Sequence, residues 1–118
     1  MKKLNKIMLI LSILPTLLTS VFLFFMNDTV PMHYNASGAV DRYGSKYENF
    51  ILPAIILFMY AFYMVYTKIY TKYSTNSVEK INNNVKITAI LVTSIIAAFN
   101  ILQLMFLILA ILKPDSTT

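Results

Sequence analysis

The sequence predicts an all-α membrane protein of three transmembrane helices, with an ordered outer loop between the first and second. Two observations carry that reading. Only 13% of the 118 residues are charged, against about 25% in soluble domains, and a domain this small needs surface charge to stay dissolved. The few charges also leave three long gaps: residues 7–27 between Lys6 and Asp28, 49–67 between Glu48 and Lys68, and 87–112 between Lys86 and Lys113. A helix needs about 20 apolar residues to cross the hydrocarbon core. None of the gaps alternates in polarity as the strands of a membrane barrel do. The chain is read as one membrane domain, residues 1–118, with helices at about 5–26, 50–70 and 86–112.

Helix 1 follows the basic opening Met1-Lys2-Lys3-Leu4-Asn5-Lys6. That opening would suit a signal peptide, but the apolar run is too long for one and no A-x-A site follows, so an uncleaved anchor is expected. Ser12, Thr16 and Thr19 share a face at i, i+4 and i+7. Their hydroxyls either bond to a neighbouring helix or return to their own backbone. Pro15 removes one helical N–H and is expected to kink the helix.

Helix 2 opens near Phe50, with Pro53 in the first turn where its missing N–H is tolerated. Tyr60, Tyr63, Tyr66, Tyr70 and Tyr73 then form one stripe, which reads as a packing seam ending in an aromatic belt, or as the lining of a ligand site. The polar, Asn-rich stretch that follows is either a loop or an extension of the flanking helices beyond the bilayer. On helix 3, Thr93, Ala97, Asn100 and Gln103 share a face. Asn100 and Gln103 near mid-membrane are expected to point inward, because a carboxamide facing lipid is costly. The same face would suit a protein partner.

Basic residues near helix ends set orientation. Lys2, Lys3, Lys6, Lys68, Lys72, Lys80 and Lys86 fall on one side, while Arg42, Lys46 and Lys113 fall on the other. The N-terminus is therefore expected in the cytoplasm, with the first loop and the C-terminus outside. The net charge of +5 is mostly this topology signal, which argues against nucleic acid as a partner. The Ile, Asn and Lys richness points to an AT-rich bacterial genome.

The loop between helices 1 and 2 has the least generic composition. Pro31 fixes the chain as it leaves helix 1, Asn35-Ala36-Ser37-Gly38 has a turn composition in which Gly38 can take positive φ, and Arg42 to Lys46 reads as a second turn. An ordered loop of this length is often functional. His33, Asp41 and Glu48 are a poor set for a catalytic metal, and no metal or cofactor is expected. Asn35-Ala36-Ser37 fits a glycosylation sequon, read as chance in a bacterial protein. With no Cys and none of the common catalytic motifs, the chain is not expected to be an enzyme.

The stretch at residues 30–53 resembles the small N-terminal membrane domain of SdpI-type proteins. The matching positions are Pro31, His33, Asn35, Gly38, Asp41, Tyr43, Gly44, Lys46 and Pro53, with Val40 where that family commonly has Pro. The resemblance covers about residues 7–57. It implies a bacterial integral membrane protein that confers immunity to a secreted killing peptide, and it assigns no catalytic residue. SdpI-type proteins are longer, with further helices after this domain. Three readings follow. The chain is an immunity or accessory protein that meets a peptide toxin or envelope partner through its outer loop. Alternatively, it is a subunit of a larger membrane complex or transporter, or a membrane tether that sequesters a cytoplasmic protein. Beyond the lipid bilayer itself, a homo-oligomer or a hetero-oligomer fits any of them.

Overall fold

The computed structural model describes residues 2–112, so Lys113, Asp115 and the expected outer C-terminus lie outside the described residues. Three helices, each long and apolar enough to cross a membrane, form a bundle: α1 (Lys2–Phe22), α2 (Ile51–Tyr73) and α3 (Val78–Leu112). Between α1 and α2 the chain forms an antiparallel hairpin of β1 (Thr29–Tyr34) and β2 (Val40–Ser45), flanked by 3₁₀ turns at Leu23–Phe25 and Lys46–Phe50. The fold is a helical membrane bundle as expected, and the ordered loop is a hairpin. Arg42 to Ser45, read from sequence as a second turn, belong to β2.

Helix ends differ from the charge boundaries for physical reasons. α1 stops at Phe22 and tightens into the 3₁₀ turn that redirects the chain into the hairpin. α3 starts at Val78 rather than Lys86, capped by the Ser77 hydroxyl, which accepts from the Lys80 N–H at 3.2 Å. Its 35 residues span about 52 Å, well beyond the ~30 Å hydrocarbon core. The Asn-rich stretch thus runs from the end of α2 through the connection at residues 74–77 into the first turns of α3. Asn84 on α3 and Asn76 in the connection both donate to the Tyr70 hydroxyl, at 2.7 and 3.2 Å, which pins the end of α2 to α3.

Two apolar clusters lie along the bundle. Met8, Ile56, Tyr63, Ala89 and Ile96 join the three helices, while Met26 and Val30 pack on Leu107 and Ala110 and seat the hairpin on the end of α3. The outward faces stay apolar, with Ile10, Leu17, Phe58, Phe62 and Ile101 exposed as a lipid-facing coat requires. Of the tyrosine stripe, Tyr63 is buried with its hydroxyl donating to Asn5 at 3.3 Å, and Tyr66 stacks on Tyr70 at 5.9 Å.

Candidate functional site

The hairpin is held at its tip, its middle and its base by residues that the sequence singled out. At the tip, the Asn35 side-chain oxygen accepts from the Ser37 N–H, the Ser37 hydroxyl and the Ala39 N–H, at 3.0, 2.7 and 3.0 Å. This is an Asx turn. Gly38 completes it at φ 84°, in the left-handed region. In the middle, His33 Nδ1 meets Asp41 Oδ1 across the strands at 2.5 Å, and both side chains remain open to solvent. At the base, the Lys46 N–H donates to the Asp28 carbonyl at 2.9 Å while the Lys46 ammonium lies 3.5 Å from the Asp28 carboxylate.

The strand register explains two further positions. Pro31 pairs with Tyr43, and pairing slips between Pro31 and His33, where proline supplies no N–H to the ladder. Gly44 pairs with Val30; a Cβ there would lie 1.7 Å from Glu48 Oε2 and 2.9 Å from Met32 Cγ. Glycine thus lets the 3₁₀ turn fold back on β2, which brings Arg42 Nη1 to Glu48 Oε1 at 3.4 Å. The Tyr34 hydroxyl is buried with no hydrogen-bond partner, and burial, with Tyr43 close by, pushes its pKa above the usual phenol value and makes it a weaker acid.

The hairpin joins the bundle through α3. Pro53 is buried in the first turn of α2 and has no N–H for the carbonyl of Asn49, four residues earlier. Gln103 supplies the missing donor, its Nε2 reaching the Asn49 carbonyl at 2.8 Å and the Thr19 hydroxyl at 2.9 Å. The Asn49 side chain in turn donates to the Lys46 carbonyl at 2.9 Å and lies 3.6 Å from Met26 Sδ. One turn away on α3, Asn100 donates to the Leu11 carbonyl at 2.9 Å, the group that Pro15 leaves without its helical partner. Its second N–H goes to its own helix at Ile96. Both carboxamides therefore donate within the chain and tie α3 to α1 and to the hairpin's base. Of the hydroxyls on α1, Thr19 bonds across to Gln103, whereas Ser12 returns to Met8 at 2.6 Å.

Asn49 escaped the sequence reading, as did the choice of Glu48 as the carboxylate that pairs with Arg42. A pocket of about 230 Å³ lies beside them at the hairpin's base. Arg42 and Glu48 form part of its lining, with Ile55, Leu102 and Phe106 on the apolar side and Asn49 and Gln103 also facing it. Among the described residues, no three His, Asp or Glu side chains gather as a metal site would need.

Residues 10–57 match a family described as a domain of unknown function (DUF1648). The matched segment runs from α1 through the whole hairpin into α2, and contains Pro15, Asn49 and Pro53 but not α3. A protein of Archaeoglobus fulgidus, itself described as uncharacterized, is 43% identical over 42 residues. That alignment covers 36% of this chain and 23% of the archaeal protein, so the chain spans less than a quarter of that relative's length. No solved structure matches the chain.

Proposed function

We propose that this multi-pass membrane protein is an SdpI-like immunity or accessory protein of the bacterial cell membrane. In this reading it has no catalytic activity, and it engages a peptide or envelope partner through the hairpin. The N-terminus lies in the cytoplasm and the hairpin outside, as the lysine distribution favours.

The observation that carries the reading is the hairpin's construction. Its turn is fixed by Asn35 and Gly38, its strands by His33 and Asp41, its base by Lys46, and its seat by Asn49 and Gln103. A tether between helices needs none of these ties. A pre-organised surface does, because ordering it beforehand lowers the entropy lost on binding. The pocket at the base suits a partner with an apolar side chain beside a charged or polar group, which Arg42 and Glu48 would meet.

A photo-crosslinking residue placed at Tyr43, in cells exposed to the partner's source, tests this. The expected result is one discrete crosslinked protein or peptide, lost on His33→Ala and Asp41→Asn. Crosslinking to lipid alone would contradict the reading.

A further inference from the structure

At the end of the bundle opposite the hairpin, a second and larger pocket of about 400 Å³ opens among the three helices. Lys68 and Lys72 line it from successive turns of α2, with Thr67 and Thr71 from the same helix and Asn5 from α1. Met64 and Val85 give it an apolar wall, and the buried Tyr63 closes its deep end.

We propose that this pocket binds the phosphodiester headgroup of an anionic phospholipid such as phosphatidylglycerol. The charge is complementary and unspent. Among the described residues the ion pairs are His33–Asp41, Arg42–Glu48 and Lys46–Asp28, all at the hairpin end, so neither Lys68 nor Lys72 is paired with a carboxylate. Lys2, Lys3, Lys6, Lys80 and Lys86 add to the same end, where Glu79 is the sole carboxylate among the described residues. The Lys72 ammonium sits 5.3 Å from the centre of the Tyr73 ring.

Geometry selects a lipid over a soluble anion. From Lys72 to Tyr63 the lining runs about 13 Å along α2, from ammonium groups and hydroxyls to Met64, Val85 and the Tyr63 ring. A headgroup phosphate against the lysines would therefore carry its glycerol and first acyl carbons toward Met64 and Val85. Basic pockets between transmembrane helices near the membrane surface are recognised lipid headgroup sites. This assignment is independent of what the hairpin binds.

The test is native mass spectrometry of the full chain in mild detergent, titrated with phosphatidylglycerol or phosphatidylcholine. The intact protein is expected to retain one phosphatidylglycerol in preference to phosphatidylcholine. Lys68→Gln with Lys72→Gln should weaken that binding roughly 25-fold. Lys80→Gln with Lys86→Gln removes the same charge outside the pocket and should leave the preference intact. Circular dichroism of each variant checks that helix content is unchanged. Equal loss in both pairs would overturn the proposal, because bulk charge would then explain the effect. Equal retention of the two lipids, or displacement by glycerol phosphate at matched concentration, would overturn it too.

Discussion

Asn100 on α3 donates its side-chain amide to the carbonyl of Leu11 on α1, at 2.9 Å. That carbonyl is the one Pro15 deprives of a helical donor, and Gln103 serves the Asn49 carbonyl below Pro53 in the same way. Two prolines and two carboxamides thus tie α1 and the hairpin's base to α3.

Asn100→Leu should therefore destabilise the bundle by about 0.6–1.7 kcal/mol, the range for hydrogen bonds between membrane helices. Reversible unfolding in mixed micelles measures it. Pro15→Ala restores the N–H to Leu11, so the loss from Asn100→Leu should shrink in that background. An equal loss in both backgrounds would show that Asn100 acts elsewhere.

At the hairpin tip, Gly38→Val forces a β-branched residue into the left-handed region, at a cost of roughly 1–2 kcal/mol. Asn35→Ala removes three accepted hydrogen bonds. Either change should speed amide exchange at Ser37 and Ala39 by about tenfold or more, while exchange in α3 stays unchanged. Exchange at the tip as slow as in the parent would mean the turn is held by something else.

Gly44→Ala drives a methyl group into Glu48 and Met32. The displaced Glu48 should lose Arg42, a partly exposed pair, and stability should fall by about 1 kcal/mol or less. Glu48→Ala in the same chain removes the closer clash and should recover part of that loss. No recovery would place the strain on Met32 instead.

Orientation is testable because the chain has no cysteine. A single Cys at Ser37 should react with an impermeant maleimide in whole cells, and one at Ser77 should react only after lysis. The reverse pattern would invert the topology.

Much of this architecture was legible in residue order. Charge-free runs marked the three helices because lipid tolerates few charges, and Gly38 marked the turn because few other residues adopt its φ. The strands were hidden. Pro31 argues against a strand locally, and β1 exists because β2 pairs with it and Val30 finds a seat on α3. The polar start of α3 left its first residue open, because polarity marks where the bilayer ends, not where the helix does. Asn49 was overlooked for a similar reason. Alone it is one more polar residue ahead of a helix, and its importance arises only with Pro53 and Gln103 in place.

The most direct test of the proposed role is survival of sensitive cells challenged with a secreted killing peptide, with and without this chain. The unaltered protein should protect. His33→Ala, Asp41→Asn and Gly38→Val should each abolish protection while reaching normal membrane levels, because insertion depends on the helices and not on the hairpin. No protection by the unaltered protein, or full protection by all three variants, would contradict the account.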